Sequence, residues 1–468
     1  MEGKYRYLLK NMGLMTLNNF SSKILSFLLV PLYTSVLTTG EYGTYDLYTT
    51  TAFLLIPVLS TCISDGVLRY TLDSENNPSD VLAIGIRVSL RACFLAFILV
   101  IVNSAVKLLP VFNEYPLMFL LYFVTCLMSD VLTQFARGLE RIFDVAIAGI
   151  LSSLATVSLN ILLLVVFDFG IRGYFIAGCS AFAITIIYLT FRLRLWRYIN
   201  VRVSSALSIE IQKYSAPLIL NQISWWINNA SDRYIVTFFC GAAVNGVYSV
   251  AYKIPSLLSV FQTIFNQAWT ISAVKELGDE GGDFVTSIYR LYNCGMVVLC
   301  SMLIMFDKPI ASILFAKDFY DAWEYAPFLL LSVVFGSLST LLGGLFTALK
   351  DSKLIAKTTA LGAALNIVFS LGLVYLFGAI GAAISTTISY AVVWLIRLRE
   401  AKKAVRIQVS LARDVFSYVA LLVQSIVLFS GWDQGELIIE LVIVLILFCA
   451  YLNDIKWVWC ALKAKLQH

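Results

Sequence analysis

The chain of 468 residues contains a single histidine, His468, and little charge, Asp, Glu, Lys and Arg together making up 13% of it. Soluble domains carry roughly 25%. One histidine at the last position removes most imidazole acid–base chemistry and most transition-metal sites. Nine cysteines lie scattered in apolar sequence with no C-x-x-C pair. They read as small buried hydrophobes, not disulfides or metal ligands. A G-x-x-x-x-G-K-[ST] phosphate loop is missing, so ATP hydrolysis by that route is excluded, and no glycine-rich dinucleotide motif follows a strand. Neither a cofactor nor a metal is implied. No connection is long enough for a soluble domain; the longest polar ones lie near 192–213, 273–284 and 397–413.

What is abundant is apolar surface: 60% of residues are hydrophobic and the mean hydropathy is +0.84. This predicts an all-α polytopic membrane protein. A span needs about 20 apolar residues, and roughly 14 runs meet that length. The start, MEGKYRYLLK, is basic, but the apolar run behind it continues to Leu37, too long for a cleavable signal. The first helix is therefore expected to stay. Lys and Arg collect in alternate loops, among them Lys4, Arg6, Lys10; Arg137, Arg141; Arg192, Arg194, Arg197, Arg202; Lys350, Lys353, Lys357; and Arg397, Arg399, Lys402, Lys403. The positive-inside rule puts these loops and both termini in the cytoplasm. The net charge of +5 is that loop excess, and nothing suggests nucleic-acid binding.

The chain is duplicated. Asn18, Gly43 and Tyr45 recur as Asn221, Gly246 and Tyr248, each 203 residues later. NILLLVVFDFGIRG from Asn160 and NIVFSLGLVYLFGAIG from Asn366 each hold a Gly-x-x-Gly turn, Gly170/Gly173 and Gly378/Gly381, 208 apart. About six helices per half, an even number, gives parallel repeats about an axis normal to the membrane. The expected organisation is an N-lobe over 1–196, a cytoplasmic linker over 197–212, a C-lobe over 213–400 and two further helices over 401–468. The two lobes are expected to surround a central cavity. Pro31, Pro57, Pro217 and Pro255 fall inside apolar runs, where each removes a backbone hydrogen bond and bends its helix.

The ionisable residues are not duplicated. Asp232, Arg233 and Lys253 sit inside apolar segments, and stepping back 203 residues from them reaches Leu29, Val30 and Thr50. A charge there costs about 2.5–3.5 kcal/mol on insertion scales, so it is expected to line a polar cavity or to pair. Adjacent helix residues point about 100° apart, so Asp232 and Arg233 need partners on other helices. Lys23 is the only charge between Lys10 and Glu41; with Asn18, Asn19, Ser21 and Ser22 around it, it reads as a cation for an anionic group or as a structural pair. Asn221 and Asn228 are further polar lining candidates, and Trp225 and Trp226 suit either sugars or a membrane interface. Asp65 and Arg69, four apart, face each other. Asp130, Gln134, Arg137 and Arg141 form a stripe. Arg69 and Arg137 are candidates for a cytoplasmic gate, with anchoring as the alternative. Coupling to a proton or to sodium must use a carboxylate, and Asp232, Asp130, Asp65 and Asp46 form the short list.

Several segments resemble the polysaccharide-unit flippases of the multidrug/oligosaccharidyl-lipid/polysaccharide exporter superfamily. These are LTTGEYGTYDL ending at Leu47, SDRYIVTFFCGAAVNGVYSVAYKI (231–254), FNQAWT (265–270), KDFYDAWEYAPFLLLSVVF (317–335) and LNIVFSLGLVYLFGAIGAAISTTISY (365–390). The resemblance implies two six-helix lobes around a V-shaped cavity plus two extra helices. It implies translocation of an undecaprenyl-pyrophosphate-linked oligosaccharide across the bacterial inner membrane by alternating access, with a glycan polymerase and export machinery as partners. It also implies a cationic cavity with a basic residue in the first helix, which Lys23 matches as lysine in place of arginine; Lys253 matches a second such position, and Arg233 is a further cavity candidate from its place in an apolar run. A cation-coupled multidrug exporter of the same superfamily is the alternative, and a glycan polymerase or acyltransferase a third reading that the missing outer loop and histidine disfavour.

Overall fold

The computed structural model describes residues 27–73, 75–198, 204–276, 281–349, 351–405, 407–430, 435–452 and 454. The candidates Asn18, Asn19 and Lys23 lie outside them. Among the described residues the chain is helical and has no strand, as its composition dictates: in hydrocarbon every backbone N–H and C=O must be satisfied within its own segment.

Two compact units divide the chain, Met1–Ala230 and Ser231–His468. The first contains α1 (Val30–Val36), α2 (Thr39–Leu59), α3 (Ile63–Thr71), α4 (Pro78–Val106), α5 (Pro116–Gly138), α6 (Ile142–Asn160, extended by a π-turn over Ile161–Val166), α7 (Gly170–Leu193) and α8 (Ser205–Ser215). Helix α9 (Leu218–Cys240) contributes to both units. The second holds α10 (Ala242–Ala251), α11 (Lys253–Glu276), α12 (Gly281–Met305), α13 (Asp307–Leu314), α14 (Ala326–Ala348), α15 (Ser352–Phe377), α16 (Ala379–Val405), α17 (Leu411–Val427) and α18 (Gly435–Ala450).

Eight described helices are long and apolar enough to cross a membrane, nine if the bent pair α2–α3 counts as one span. Fourteen is not reached among the described residues, for local reasons. The first run lies mostly outside them. Helix α9 is long enough but too polar, α10 and α11 break at Tyr252, and α17 and α18 have 17 and 16 residues. Large apolar side chains on α4, such as Phe94, Leu99 and Val106, are exposed, as a lipid-facing surface requires.

Local sequence explains the breaks. Helix α2 starts on a capping box: Thr38 Oγ1 accepts from the Glu41 N–H at 3.2 Å, and Glu41 Oε2 accepts from the Thr38 N–H at 2.9 Å. It ends where Pro57 removes a donor and where Thr61 and Cys62 adopt φ of 53° and 51°, so α3 leaves at 57°. Pro217 separates α8 from α9, and Pro255 lies in the first turn of α11, three residues past the break at Tyr252. In the described part of the first run, Pro31 occupies the opening turn of α1, where the missing N–H costs little.

The repeated glycines do the same job in both units. Gly170 (φ +50°) opens α7 after α6, and Gly378 (φ +62°) turns α15 into α16. Three residues later a Cβ on Gly173 would press on Leu163 O at 3.2 Å, and one on Gly381 would collide with the Leu373 carbonyl. Small residues there let two helix backbones meet.

Arg397, Arg399, Lys402 and Lys403 are not loop charges: α16 continues to Val405, and Arg397 is buried. Its guanidinium donates to Thr358 Oγ1 at 2.9 Å, Ser339 O at 2.8 Å and Thr359 Oγ1 at 2.9 Å. It thereby ties α16 to α14 and α15 through neutral acceptors.

Candidate functional site

The second unit encloses a polar cluster around Asp232. Asp232 is buried on α9, and its Oδ2 accepts from Tyr248 Oη at 2.7 Å and Tyr252 Oη at 2.6 Å. Oδ1 accepts from the Arg233 backbone N–H at 3.0 Å. One residue earlier, Ser231 Oγ donates to Asn366 Oδ1 at 3.2 Å, and Asn366 Nδ2 donates to Thr386 Oγ1 at 3.0 Å. Ser385 Oγ donates to Asn366 O at 2.9 Å and accepts from Ser370 Oγ at 2.9 Å. Asp232 and Ser231, adjacent on α9, thus anchor two polar groups: the carboxylate with the two tyrosines, and a buried hydroxyl–amide chain that ties α9 to α15 and α16.

The predicted separation of Asp232 from Arg233 is what the side chains show. The carboxylate turns to the two tyrosines, whereas the guanidinium lies over the Tyr252 ring, 5.4 Å from its centroid. Lys253 is half-buried immediately after Tyr252. Nothing in the sequence marks the donors around Asp232 as site residues except that Tyr248 belongs to the duplication and Tyr252 follows it by four residues, one helical turn.

Duplication and function part company here. The first-unit counterpart of Tyr248, Tyr45, lies tilted against Tyr174, ring centroids 4.3 Å apart, within a ring cluster that includes Tyr33 and Tyr42. Position 29, the counterpart of Asp232, is leucine. The first unit's own buried acid there is Asp46, on α2 within electrostatic reach of Tyr33 and Tyr174.

The first unit also has a cavity of about 440 Å³ at the α2–α3 break, walled by α3, α5 and the first half of α9. Asp65 and Asp130 both line it, with Ser64, Ser129, Thr133 and Gln134 as neutral partners and Phe53 and Phe182 as apolar walls. The two carboxyls act on each other, and Ser64 lies within hydrogen-bonding reach of Asp130. The stripe on α5 is therefore real as far as Arg137, whose Nη1 donates to Gln134 Oε1 at 3.4 Å. Arg141 lies past the helix end, at the cap of α6. Asp65 and Arg69 form no ion pair with each other among the described contacts; Arg69 is exposed.

Of the polar lining candidates, Asn221 is exposed on α9. Asn228 spends its Nδ2 donor on Ser224 O at 2.8 Å, one turn back on the same helix. Trp226 Nε1 donates to Thr50 O at 2.8 Å, so it anchors α9 on α2, while Trp225 is exposed.

The cavity carboxyls differ from Asp232 in a testable way. No donor is left orphaned when they are neutralised, and their mutual repulsion disappears. The double variant Asp65→Asn/Asp130→Asn is expected to melt at the wild-type temperature or about 2 °C above it. Thermal melting in detergent checks the sign; a lower melting temperature removes the repulsion argument.

Comparison with known proteins adds three findings. A family model described as "Polysaccharide biosynthesis protein" matches residues 8–271, more than half of the chain. No curated protein matches it significantly. Among solved structures, the lipid II flippase MurJ in an inward closed conformation superposes with a TM-score of 0.72 at 13% identity, covering 94% of this chain and 99% of that one. An inward-facing multidrug resistance MATE family transporter of the MOP superfamily superposes at 0.64, 14% identity, with 82% and 94% covered. A MOP superfamily transporter from Pyrococcus furiosus superposes at 0.54, 14% identity, with 85% and 93% covered. At these identities the likeness concerns the fold.

Proposed function

From the premise that this chain belongs to the polysaccharide biosynthesis protein family, we propose that it is a flippase for undecaprenyl-pyrophosphate-linked oligosaccharide repeat units. It is a multi-pass membrane protein whose fold is that of flippases and transporters, and neither family nor fold implies catalysis. On this reading it works in the bacterial inner membrane with both termini cytoplasmic. It alternates access to the two leaflets, draws on a cation gradient, and hands its cargo to a glycan polymerase and export machinery. The observation that carries the reading is the family match over residues 8–271.

The physics of the cargo supports it. A pyrophosphate headgroup needs fixed positive charge, and a glycan needs a wet path, because hydrocarbon charges heavily for both. Lys23, Arg233 and Lys253 supply the positive side chains on this reading. Arg69 and Arg137 serve a cytoplasmic gate. Asn18, Asn19, Asn221 and Asn228 provide polar lining. Coupling falls to Asp232, where oxygen donors converge, with Asp130, Asp65 and Asp46 as the remaining carboxyls.

The test is complementation of a strain lacking its own flippase. Lys23→Ala is expected to lower surface polysaccharide about 100-fold while the protein still reaches the membrane, and Lys23→Arg to restore most of it. Wild-type levels in Lys23→Ala count against the proposal. The acid-lined cavity of the first unit favours one other reading, a cation-coupled multidrug exporter. Resistance to cationic dyes without a glycan phenotype would select that instead.

A further inference from the structure

A second group of buried acids lies in the same unit as Asp232 but on other helices, where α17 and α18 dock on α12 and α13. Asp307, the first residue of α13, is wholly buried, and among the described residues neither of its carboxyl oxygens has a hydrogen-bond partner. The adjacent Lys308 is engaged elsewhere: its Nζ donates to both oxygens of Glu436 at 2.9 Å and to Leu428 O at 2.8 Å, and it sits 4.7 Å from the centroid of the Trp323 ring. Glu440, one turn beyond Glu436, is 1% exposed. Its Oε2 accepts from Gln424 Nε2 at 2.6 Å, and its Oε1 has no partner among the described residues. Gln424 is saturated, accepting from Ser301 Oγ at 2.8 Å and donating to Ser301 O at 2.9 Å.

The charge count cannot stand as drawn. Three carboxyls share one ammonium, which Glu436 already neutralises. Two uncompensated carboxylates at this burial cost several kcal/mol each. The start of α13 offers a negative charge only about 1 kcal/mol, and no N–H reaches the Asp307 oxygens. The charged groups that act on Asp307 are Lys308 and Glu440; on the neighbouring 317–324 turn, Asp321 acts on Glu324 instead.

We propose that Asp307 and Glu440 form a proton-binding site that holds the last two helices, α17 and α18, against the rest of the unit. With a proton bound, the pair carries one negative charge instead of two and the helices stay docked; when it leaves, two like charges act on each other in a dry interface. Sodium is a poor fit, because only three oxygens remain unused and a hard cation takes about six. Among the described residues no group of three or more acid, thiol or imidazole side chains could hold a metal ion. Burial pushes the Asp307 carboxyl well up from the usual carboxylate range, with Lys308 pulling it down and Glu440 pushing it further up. A carboxyl raised in the folded protein adds stability at low pH, and that stability is lost as pH rises through the folded value.

The experiment is thermal melting of the full chain in detergent from about pH 5 to pH 8, together with infrared spectra of the protonated-carboxyl C=O band. Wild type is expected to lose about 2–4 °C across that range and to show the band at neutral pH. Asp307→Asn, nearly isosteric, is expected to flatten the melting curve and remove the band; Glu440→Gln is expected to flatten the curve in part. An equal slope in wild type and Asp307→Asn overturns the proposal, as does a wild-type slope that vanishes when choline replaces sodium. Should Asp307→Asn fail to fold, the absence of the band from wild type overturns it as well.

Discussion

Asp232→Asn is expected to lower transport about 100-fold and to make what remains independent of the cation gradient. The carboxylate is held by three donors, Tyr248 Oη, Tyr252 Oη and the Arg233 N–H, at 2.6–3.0 Å. Hydrogen bonds to a charged acceptor are worth about 1.5–3 kcal/mol each. Asparagine keeps one acceptor and presents an NH₂ to groups that are themselves donating. At least one buried donor is therefore orphaned, at about 1–3 kcal/mol, and the negative charge that attracts a cation is gone. A loss of ~2.8 kcal/mol in cation affinity is the hundredfold stated. Tyr248→Phe and Tyr252→Phe each remove one neutral donor and leave the charge, so each is expected to cost about 1 kcal/mol of stability and to keep cation dependence. Transport into proteoliposomes with and without a gradient, beside melting temperatures, separates the two effects. If Asp232→Asn transports at the wild-type rate with its gradient dependence intact, the Asp232 cluster is not the coupling site.

Gly381→Val is expected to abolish the folded protein. A Cβ at this position would strike the carbonyl carbon and oxygen of Leu373 and lie 2.8 Å from the Val374 nitrogen. These are backbone atoms inside α15, so no rotamer change relieves the clash; α15 and α16 must separate. Overpacking that a side chain can absorb costs about 1–3 kcal/mol, and a backbone collision exceeds that. Separation would also open the Asn366–Thr386 and Ser370–Ser385 contacts that bridge the two helices, so the Asp232 cluster falls with the hairpin. Gly372→Ala is the control: nothing lies within 4 Å of its Cβ, and alanine is favoured over glycine in a helix by about 1 kcal/mol. Fluorescence-detected size-exclusion of tagged variants reads both. A monodisperse wild-type peak for Gly381→Val sinks the prediction.

The candidate site was legible to different depths. Asp232 stood out because a carboxylate in an apolar run is costly anywhere along it, a property of one residue and its neighbours in sequence. The tyrosines and the Ser231–Asn366–Thr386 chain did not stand out, because Tyr, Ser, Thr and Asn are cheap enough in a membrane helix to occur without purpose. Only contact across three helices marks them. Asp65 and Arg69 show the opposite error. Spacing of four residues permits a pair, but Asp65 lines a cavity with Asp130 while Arg69 is exposed.

Composition alone determined that this chain lives in a membrane and is helical, because hydrocarbon admits no other open backbone. The repeated Asn, Gly and Tyr positions pointed to related halves, and the glycine turns determined where helices reverse, since close backbone approach has few chemical solutions. Tertiary structure decided the partners of each charge: Arg397 buried on neutral oxygens, Lys308 on Glu436, Asp232 on two tyrosines, Asp307 on none. The reason is that the energy of a buried charge depends on atoms within a few ångströms, and those atoms come from helices far apart along the chain.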